Sequence, residues 1–209
     1  MVQVIPAILA KNKDEFVDKV TAVFPSVDLI QIDIMDGRFV AGKTWGTSEE
    51  VSALHLPVDF EVHLMAENPE EVVEEWVRAG AQRVIFHIEA TKNPGVAIEK
   101  IRASGREVGI AINPETPIAA LSEWLHLIDY VLVMGVIPGA SGRQFQRKIL
   151  KKIRDIKAMR PGIKIGVDGG VNFETAKDIV AAGANAINAA TAIFEQPDPE
   201  EAIKILQNI

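Results

Sequence analysis

Short apolar runs rich in β-branched residues alternate with amphipathic stretches of about 10 to 15 residues along the chain. Runs of this kind predict strands, and several are apolar throughout, as in strands that are covered on both faces. The eight predicted strands span residues 2–8, 29–35, 59–64, 83–87, 107–112, 130–134, 164–167 and 186–189. Their alternation with amphipathic stretches is typical of repeated βα units and a parallel sheet.

Eight predicted helices follow the strands, and several carry start and stop signals. Asn68 and Asp198 each precede a proline and two glutamates, so both are predicted to cap the N-terminus of a helix. Gly80, Gly105 and Gly183 each stand just after a helix, where a left-handed cap favours glycine. The predicted helices begin near Lys13, Ser48, Pro69, Pro94, Pro117, Gln146, Phe173 and Pro199.

The number of βα units predicts the fold class. Eight units in 209 residues leave about 26 residues per unit, which predicts an α/β protein made of one (β/α)8 TIM barrel with parallel strands, a single domain over residues 1–209. The main alternative is a doubly wound open sheet, which usually carries a Gly-rich turn after its first strand. Residues 8–11, with the sequence ILAK, do not form such a turn.

The composition narrows the function classes. The residues are 48% apolar and 24% charged, as in an ordinary globular protein. The absence of cysteine excludes disulfides, thiol nucleophiles and Cys-type zinc sites. With 22 basic and 29 acidic residues the formal net charge is −7, which gives no electrostatic footprint for nucleic acid. We therefore expect a small-molecule partner and no nucleic-acid partner.

Nothing in the sequence predicts export or membrane insertion. No uninterrupted apolar stretch reaches the ~18 residues that span a bilayer. The N-terminal segment has no basic leader followed by an apolar run and a cleavage site. Together with the lack of cysteine, these features predict a cytoplasmic protein without a membrane partner.

Polar residues at the strand ends are the candidates for chemistry, because the active site of a (β/α)8 barrel lies at the C-terminal ends of its strands. Side chains alternate between the two faces of a strand, and Ile30, Ile32 and Ile34 are expected to face the helices. The opposite faces of the second, third and seventh strands then carry Gln31, Asp33, Met35, Glu61, His63, Met65, Gly166 and Asp168. Two carboxylates at strand ends, Asp33 and Asp168, and the imidazole of His63 therefore converge from different strands.

Each of these residues also has a structural interpretation. Asp33 alone fits a loop-fixing aspartate equally well, and His63 alone fits a hydrogen-bonded core histidine. An inward polar side chain costs about 1 to 3 kcal/mol unless it is hydrogen-bonded or ligating, which favours one shared site. His87 and Glu89, after the fourth strand, are interpreted as wall or loop residues. Methionines at three strand ends fit a core singly and, together, a polarizable lining for a planar intermediate: Met35, Met65 and Met134.

Small residues after the last three strands predict a phosphate site. The loops after strands seven and eight of such barrels commonly bind phosphate through backbone N–H groups. Gly169 and Gly170 in one loop and Ala190 in the other allow an anion to approach closely, and Thr191 adds a hydroxyl. The small-residue loop at 138–142 is either a lid over a ligand or a turn without function.

These motifs follow one another in the order found in ribulose-phosphate 3-epimerases, and the chain resembles that family along almost its full length. The segments that carry the resemblance are IPAIL, IDIMDGRFV, VHLMAENPE, FHIEA, INPETP, VLVMGVIPG, VDGGV and AGANAINAATAIF. The resemblance implies an isomerase of the pentose phosphate pathway. Such an enzyme moves a proton at C3 between D-ribulose 5-phosphate and D-xylulose 5-phosphate through an enediolate.

The resemblance also implies roles for the residues that match the family motifs. Asp33 and Asp168 would be the acid and base on opposite faces of the sugar, and both would ligate a divalent metal together with His63. The methionines would pack around the enediolate: Met35, Met65 and Met134. The phosphate of the substrate would lie against Gly139, Gly170, Ala190 and Thr191.

Two departures from the family pattern bear on the metal. The family's usual metal-binding histidine is Gln31 here, and the serine that usually follows the first-strand proline is Ala7. Glutamine can ligate through its carbonyl oxygen but suits a harder ion than zinc. The expected cofactor is a divalent metal ion, zinc by resemblance, with Gln31 as the fourth candidate ligand. Manganese, iron, magnesium or no metal are the alternatives.

Two other functions stay open. One is another phosphosugar enzyme on the same barrel, a hexulose-phosphate 3-epimerase or an aldolase-like relative. The related decarboxylase and synthase group usually carries a lysine in a DxKxxD motif, and the segment at 33–36 contains none. The other is a noncatalytic sugar-phosphate-binding protein, which would have no use for an acid–base pair. The resemblance also implies a homo-oligomer, either a dimer or a hexamer.

Overall fold

The computed structural model describes residues 2–139 and 144–209. In this part of the chain, eight parallel strands close into a barrel in chain order, and the eighth strand pairs with the first. The (β/α)8 barrel predicted from the sequence is therefore confirmed. The strands are β1 (Gln3–Ile8), β2 (Leu29–Met35), β3 (Asp59–Met65), β4 (Arg83–His87), β5 (Glu107–Ile112), β6 (Tyr130–Met134), β7 (Lys164–Asp168) and β8 (Ala186–Ala189).

Helices cover the outside of the barrel. In the described ranges, none of them has the length and apolar character needed to cross a membrane. The α-helices are α1 (Lys13–Val23), α2 (Ser48–Ser52), α3 (Val73–Arg78), α4 (Pro94–Ala103), α5 (Ile149–Met159), α6 (Thr175–Ala181), α7 (Thr191–Phe194) and α8 (Pro199–Gln207). Short 3-10 helices span Pro69–Glu71, Ile88–Ala90 and Ile118–Leu121.

Two helix predictions are wrong. The helix expected near Pro117 is the 3-10 helix Ile118–Leu121, because the backbone N–H groups of this segment bond mostly to the carbonyl three residues earlier. Asn68 does not cap with its side chain, since its backbone is left-handed with φ 50° and its N–H bonds to the carbonyl of Ala90. Asp198 caps α8 as predicted, and its carboxylate accepts from the Glu201 N–H at 3.1 Å.

Apolar side chains form one layer between the strands and the helices and another inside the barrel. Ile30 and Ile32 of β2 are buried in the outer layer, as their position in the strand predicts, with Ile34 packed against it. The inner layer is a small cluster that includes Tyr130 and Met134. The barrel interior also holds buried polar side chains, which are Gln31, Asp33, Glu61, His63, Arg83, His87, Asp168 and Asn188. An interior of this composition is unusual, because barrel interiors are dominated by branched apolar residues.

Candidate active site

A cavity opens at the C-terminal ends of the strands, where the sequence predicts the site. Asp33, His63 and Asp168 line it from β2, β3 and β7. The strand register places Asp33 directly beside His63, and Asp168 beside Met134 of β6. The remaining lining residues are Leu9, Met65, Met134, Val136, Pro138, Gly139, Gly169, Gly170, Val171, Asn188, Ala190 and Thr191.

The two aspartates and the histidine form a compact cluster. One ligating atom from each of the three residues lies within 4.8 Å of the others. Nδ1 of His63 is 3.0 Å from Oδ1 of Asp33 and 3.4 Å from Oδ2 of Asp168. Three protein ligands of nitrogen and oxygen type, with a position left for water or substrate, are the usual donor set of a catalytic divalent metal. The residues present therefore fit such a cation.

The charges in this cluster favour retention of a proton when no cation is bound. Burial, reinforced by the negative charge of Asp168, raises the pKa of Asp33 to about 6. Burial disfavours the charged form of His63, but its hydrogen bonds to Asp168 and Asp33 outweigh burial and raise the pKa of His63 to about 9. A proton or a metal cation thus satisfies the same need for positive charge among the three groups.

His63 is oriented by a chain of hydrogen bonds that starts at Glu89. Oε2 of Glu89 lies 3.2 Å from Nδ1 of His87, and Nε2 of His87 lies 2.9 Å from Nε2 of His63. Ionised Glu89 can only accept, so His87 carries its proton on Nδ1 and accepts from the Nε2–H of His63. Burial lowers the pKa of His87 to about 4, which keeps it neutral. In the metal-free protein His63 then carries a proton on Nδ1 as well and donates it towards the aspartates. Once that proton is lost, the same ring orientation presents the lone pair of Nδ1 there, where a metal would bind.

The interpretation of His87 and Glu89 as wall or loop residues overlooks this chain. The sequence does indicate that His87 points inwards. Side chains alternate along β4, so the face that carries Ile85 inside the barrel also carries Arg83 and His87. The contact between His87 and His63 was not visible, since it joins residues of two neighbouring strands.

Gln31 lies at the floor of the site and is fully buried. Its amide nitrogen donates to Oδ1 of Asp33 at 2.8 Å and to Oδ2 of Asp168 at 2.7 Å. Its carbonyl oxygen accepts from Nδ2 of Asn188 at 2.7 Å. The group that faces the aspartates is therefore the nitrogen and not the oxygen that the expected fourth ligand would offer. Asn188 is a further site residue, and the sequence marks it only as a lone polar residue in the apolar strand β8.

The predicted substrate-binding residues lie around the same cavity with one exception. Met65 and Met134 line it, whereas Met35 packs beside it in a cluster with Met65 and Val40. Gly139 and Gly170 line it with φ of 105° and 70°, a backbone conformation that favours glycine. Ala190 and Thr191 line it at the start of α7. The lid interpretation of the loop at 138–142 falls on residues 140–142, which lie outside the described residues.

Fold and site together define the class of protein, a (β/α)8 barrel with a buried aspartate–histidine–aspartate cluster at its C-terminal mouth. The sequence model of the Ribulose-phosphate 3 epimerase family matches residues 3–194. The chain belongs to the ribulose-phosphate 3-epimerase family.

Individual relatives agree with this membership. The ribulose-phosphate 3-epimerase of Bacillus subtilis is 36% identical over 212 residues, which cover 97% of this chain and 97% of the relative. That of Mycobacterium bovis is 34% identical over 207 residues, covering 97% of this chain and 90% of the relative. The chloroplastic ribulose-5-phosphate-3-epimerase of Arabidopsis thaliana is 39% identical over 210 residues, covering 95% of this chain and 74% of the relative.

Solved structures at lower identity share the fold. KGPDC from Streptococcus mutans superposes with a TM-score of 0.77 at 17% identity, over 100% of this chain and 97% of that one. The 3-hexulose-6-phosphate synthase from Salmonella typhimurium gives the same TM-score at 15% identity and covers 99% of this chain and 97% of that one. Because identity is this low, the likeness supports the barrel and nothing finer.

Proposed function

We propose that the protein interconverts D-ribulose 5-phosphate and D-xylulose 5-phosphate by proton transfer at C3, with Asp33 and Asp168 as the catalytic acid and base. The observation that carries the proposal is the pair of carboxylates, which reach one cavity from β2 and β7 with His63 between them. Family membership supports the substrate, because the relatives are named for this reaction.

The chemistry of the pair follows from what inversion requires. A carbon next to a carbonyl is inverted when a base removes its proton on one face and an acid returns a proton on the other. One carboxyl must therefore be ionised while the other is protonated, and the roles exchange in the reverse direction. The raised pKa of Asp33, about 6, means that this carboxyl retains a proton more readily than an ordinary aspartate does in the metal-free protein. Met65 and Met134 provide apolar walls that keep water from the enediolate.

Asp33, His63 and Asp168 would hold the divalent cation. When bound, such a cation stabilises the negative charge that develops on the substrate oxygen. Zinc is the metal that the family resemblance favours. A set of two carboxylates and one imidazole also suits manganese, iron or magnesium, which prefer oxygen ligands more strongly.

The phosphate of the substrate would bind across the loops that follow β6, β7 and β8. The support is that Gly139, Gly170, Ala190 and Thr191 all line the cavity that holds the aspartates. Glycine loops expose backbone N–H groups to an anion, and the hydroxyl of Thr191 is a further donor. A small sugar phosphate is therefore the proposed partner of this site.

The test is NMR of D-ribulose 5-phosphate with the protein in deuterated water. Samples are stripped of metal with a chelator and then given Zn2+, Mn2+ or Mg2+. We expect deuterium at C3 and xylulose 5-phosphate after metal addition, with exchange lost in Asp33→Asn and Asp168→Asn while calorimetry still detects sugar-phosphate binding. A folded wild type that binds the sugar phosphate without exchanging a proton would overturn the proposal. Exchange only with a hexulose 6-phosphate would reassign the substrate.

A further inference from the structure

Gln31 and Asn188 are buried polar residues that the proposed proton transfer does not use. Gln31 is inaccessible to solvent and Asn188 is 1% exposed, so every donor and acceptor on the two amides must find a partner inside the protein. The two side chains come from β2 and β8, and they lie between the aspartates and a buried ion pair deeper in the barrel.

The ion pair sets the orientation of both amides. Nη1 of Arg83 forms a buried ion pair with Oε2 of Glu61, which favours the ionised carboxylate, and an ionised carboxylate only accepts. Oε1 of Glu61 lies 2.8 Å from Nδ2 of Asn188, which must therefore be the donating end of that amide. The same nitrogen lies 2.7 Å from Oε1 of Gln31, so Gln31 accepts from Asn188. The nitrogen of Gln31 is left to face Asp33 and Asp168.

The reversed amide of Gln31 would violate these pairings at both ends. Its nitrogen would face the nitrogen of Asn188, and its oxygen would face two carboxylate oxygens. Unmade hydrogen bonds between buried groups are destabilising, and no water is needed to complete the observed arrangement. The orientation of Gln31 is thus determined by acceptors on three different strands.

We propose that Gln31 is a positioning residue that holds Asp33 and Asp168 through its two N–H groups and is not a metal ligand, with Asn188 fixing its orientation. An amide nitrogen that donates two hydrogen bonds has no lone pair to offer a cation. The cation would then have three protein ligands and no fourth one from β2. The inference rests on the proposed function for the role of the two aspartates.

The first experiment compares the visible absorption of Co2+-loaded wild type with Gln31→Met and His63→Asn. Methionine keeps the length of the side chain and removes both donors. We expect Gln31→Met to keep the wild-type Co2+ spectrum, because no ligand is lost, and His63→Asn to change it. We also expect kcat for the epimerisation to fall by about tenfold or more, with KM for D-ribulose 5-phosphate little changed. A spectral change in Gln31→Met as large as that in His63→Asn would overturn the proposal.

The second experiment needs neither metal nor activity. In metal-free protein with 15N-labelled glutamine, we expect the side-chain N–H groups of Gln31 to exchange slowly with water, because both donate to buried carboxylates. Asn188→Leu removes the donor that fixes the amide and is expected to speed this exchange. Fast exchange in the wild type would overturn the proposal even if Gln31→Met fails to fold. An inactive wild type with a protected Gln31 amide would count against the epimerase function alone.

Discussion

At the scale of single residues, two carboxylates that accept hydrogen bonds determine how the polar side chains beside them are oriented. Each orientation in turn determines which atom the side chain turns towards the cavity. Glu89 does this on one side, through His87 and His63, and Glu61 does it on the other, through Asn188 and Gln31. The two chains of hydrogen bonds differ at the aspartates, because His63 can release its Nδ1 proton and then offer a lone pair, whereas Gln31 offers only two N–H donors. This difference decides which of the polar residues can bind a cation.

The hydrogen bonds from Glu89 through His87 make His87 a testable support of the proposed metal site. In His87→Phe the ring that packs against Phe39 is kept, but the acceptor for the Nε2–H of His63 is lost. We expect Zn2+ affinity to fall by about 10- to 100-fold, the usual effect of losing a hydrogen-bond partner of a ligating histidine. Calorimetry measures this, with the exposed His126→Gln as control. Unchanged Zn2+ affinity in His87→Phe would show that the chain does not orient His63.

The hydrogen bonds that run from Glu61 through Asn188 to Gln31 lead to a prediction at Gln31 itself. Gln31→His replaces an N–H donor by an imidazole, which is a better zinc ligand than an amide. We expect Zn2+ to bind at least about tenfold more tightly, because a fourth protein ligand joins Asp33, His63 and Asp168. The control is Gln82→His on the exposed surface, which adds the same imidazole away from the site. Equal Zn2+ affinities of wild type and Gln31→His by calorimetry would contradict the prediction.

At the scale of elements, strands were easier to predict than helices. The predicted strands match the observed ones to within one residue at each end, because a strand that is buried on both faces must be an apolar run between polar ends. Helix predictions depend on local start signals, and two of them are wrong, the helix near Pro117 and the cap at Asn68. Asn68 has the residue type of a cap, but its backbone is left-handed and its N–H bonds to the distant Ala90, a contact that no local pattern contains.

The glycine in β7 shows how closely the elements pack inside the barrel. A Cβ on Gly166 would lie 1.7 Å from the hydroxyl of Tyr130 and 3.0 Å from Oδ1 of Asn188. We expect Gly166→Ala to lower the free energy of unfolding by about 3 kcal/mol, the upper range for overpacking a core. Urea unfolding measures it, with Gly162→Ala before the same strand as control, since a Cβ there meets nothing within 4 Å. A loss below about 0.5 kcal/mol would mean that Tyr130 moves aside freely.

At the scale of the whole molecule, barrel closure brings together residues that the sequence separates. The strand period placed Asp33, His63 and Asp168 on inward faces, so the sequence predicted that they converge. It did not predict that Asn188 of β8 bonds to Gln31 of β2, because β1 lies between these two strands and they are not neighbours. The direction of an amide depends on its partners, and a periodic pattern does not identify them.

The same buried groups link the stability of the metal-free protein to pH. His63 has a folded-state pKa of about 9 against an ordinary 6.5, so its contribution to stability is fully present below 6.5 and is lost as pH rises through 9. Burial raises the pKa of Asp33 to about 6 and that of Glu61 to about 7, so both groups also make the protein less stable as pH rises, at lower pH than His63 does. Burial lowers the pKa of His87 to about 4, so His87 acts in the opposite direction. Its contribution to stability is lost as pH falls below 6.5. Among these four groups, His63 therefore dominates between pH 7 and 9.

We expect the chelator-treated protein to lose about 2 kcal/mol of unfolding free energy between pH 7 and pH 9, as the proton on His63 is released. Urea unfolding at a series of pH values measures this loss, and His63→Gln is expected to remove it. A bound cation takes the place of that proton, so metal-loaded protein should become more stable relative to metal-free protein as pH rises. If the metal-free wild type is equally stable at pH 7 and pH 9, the cluster does not hold a proton. The requirement for positive charge between Asp33 and Asp168 would then lose its support.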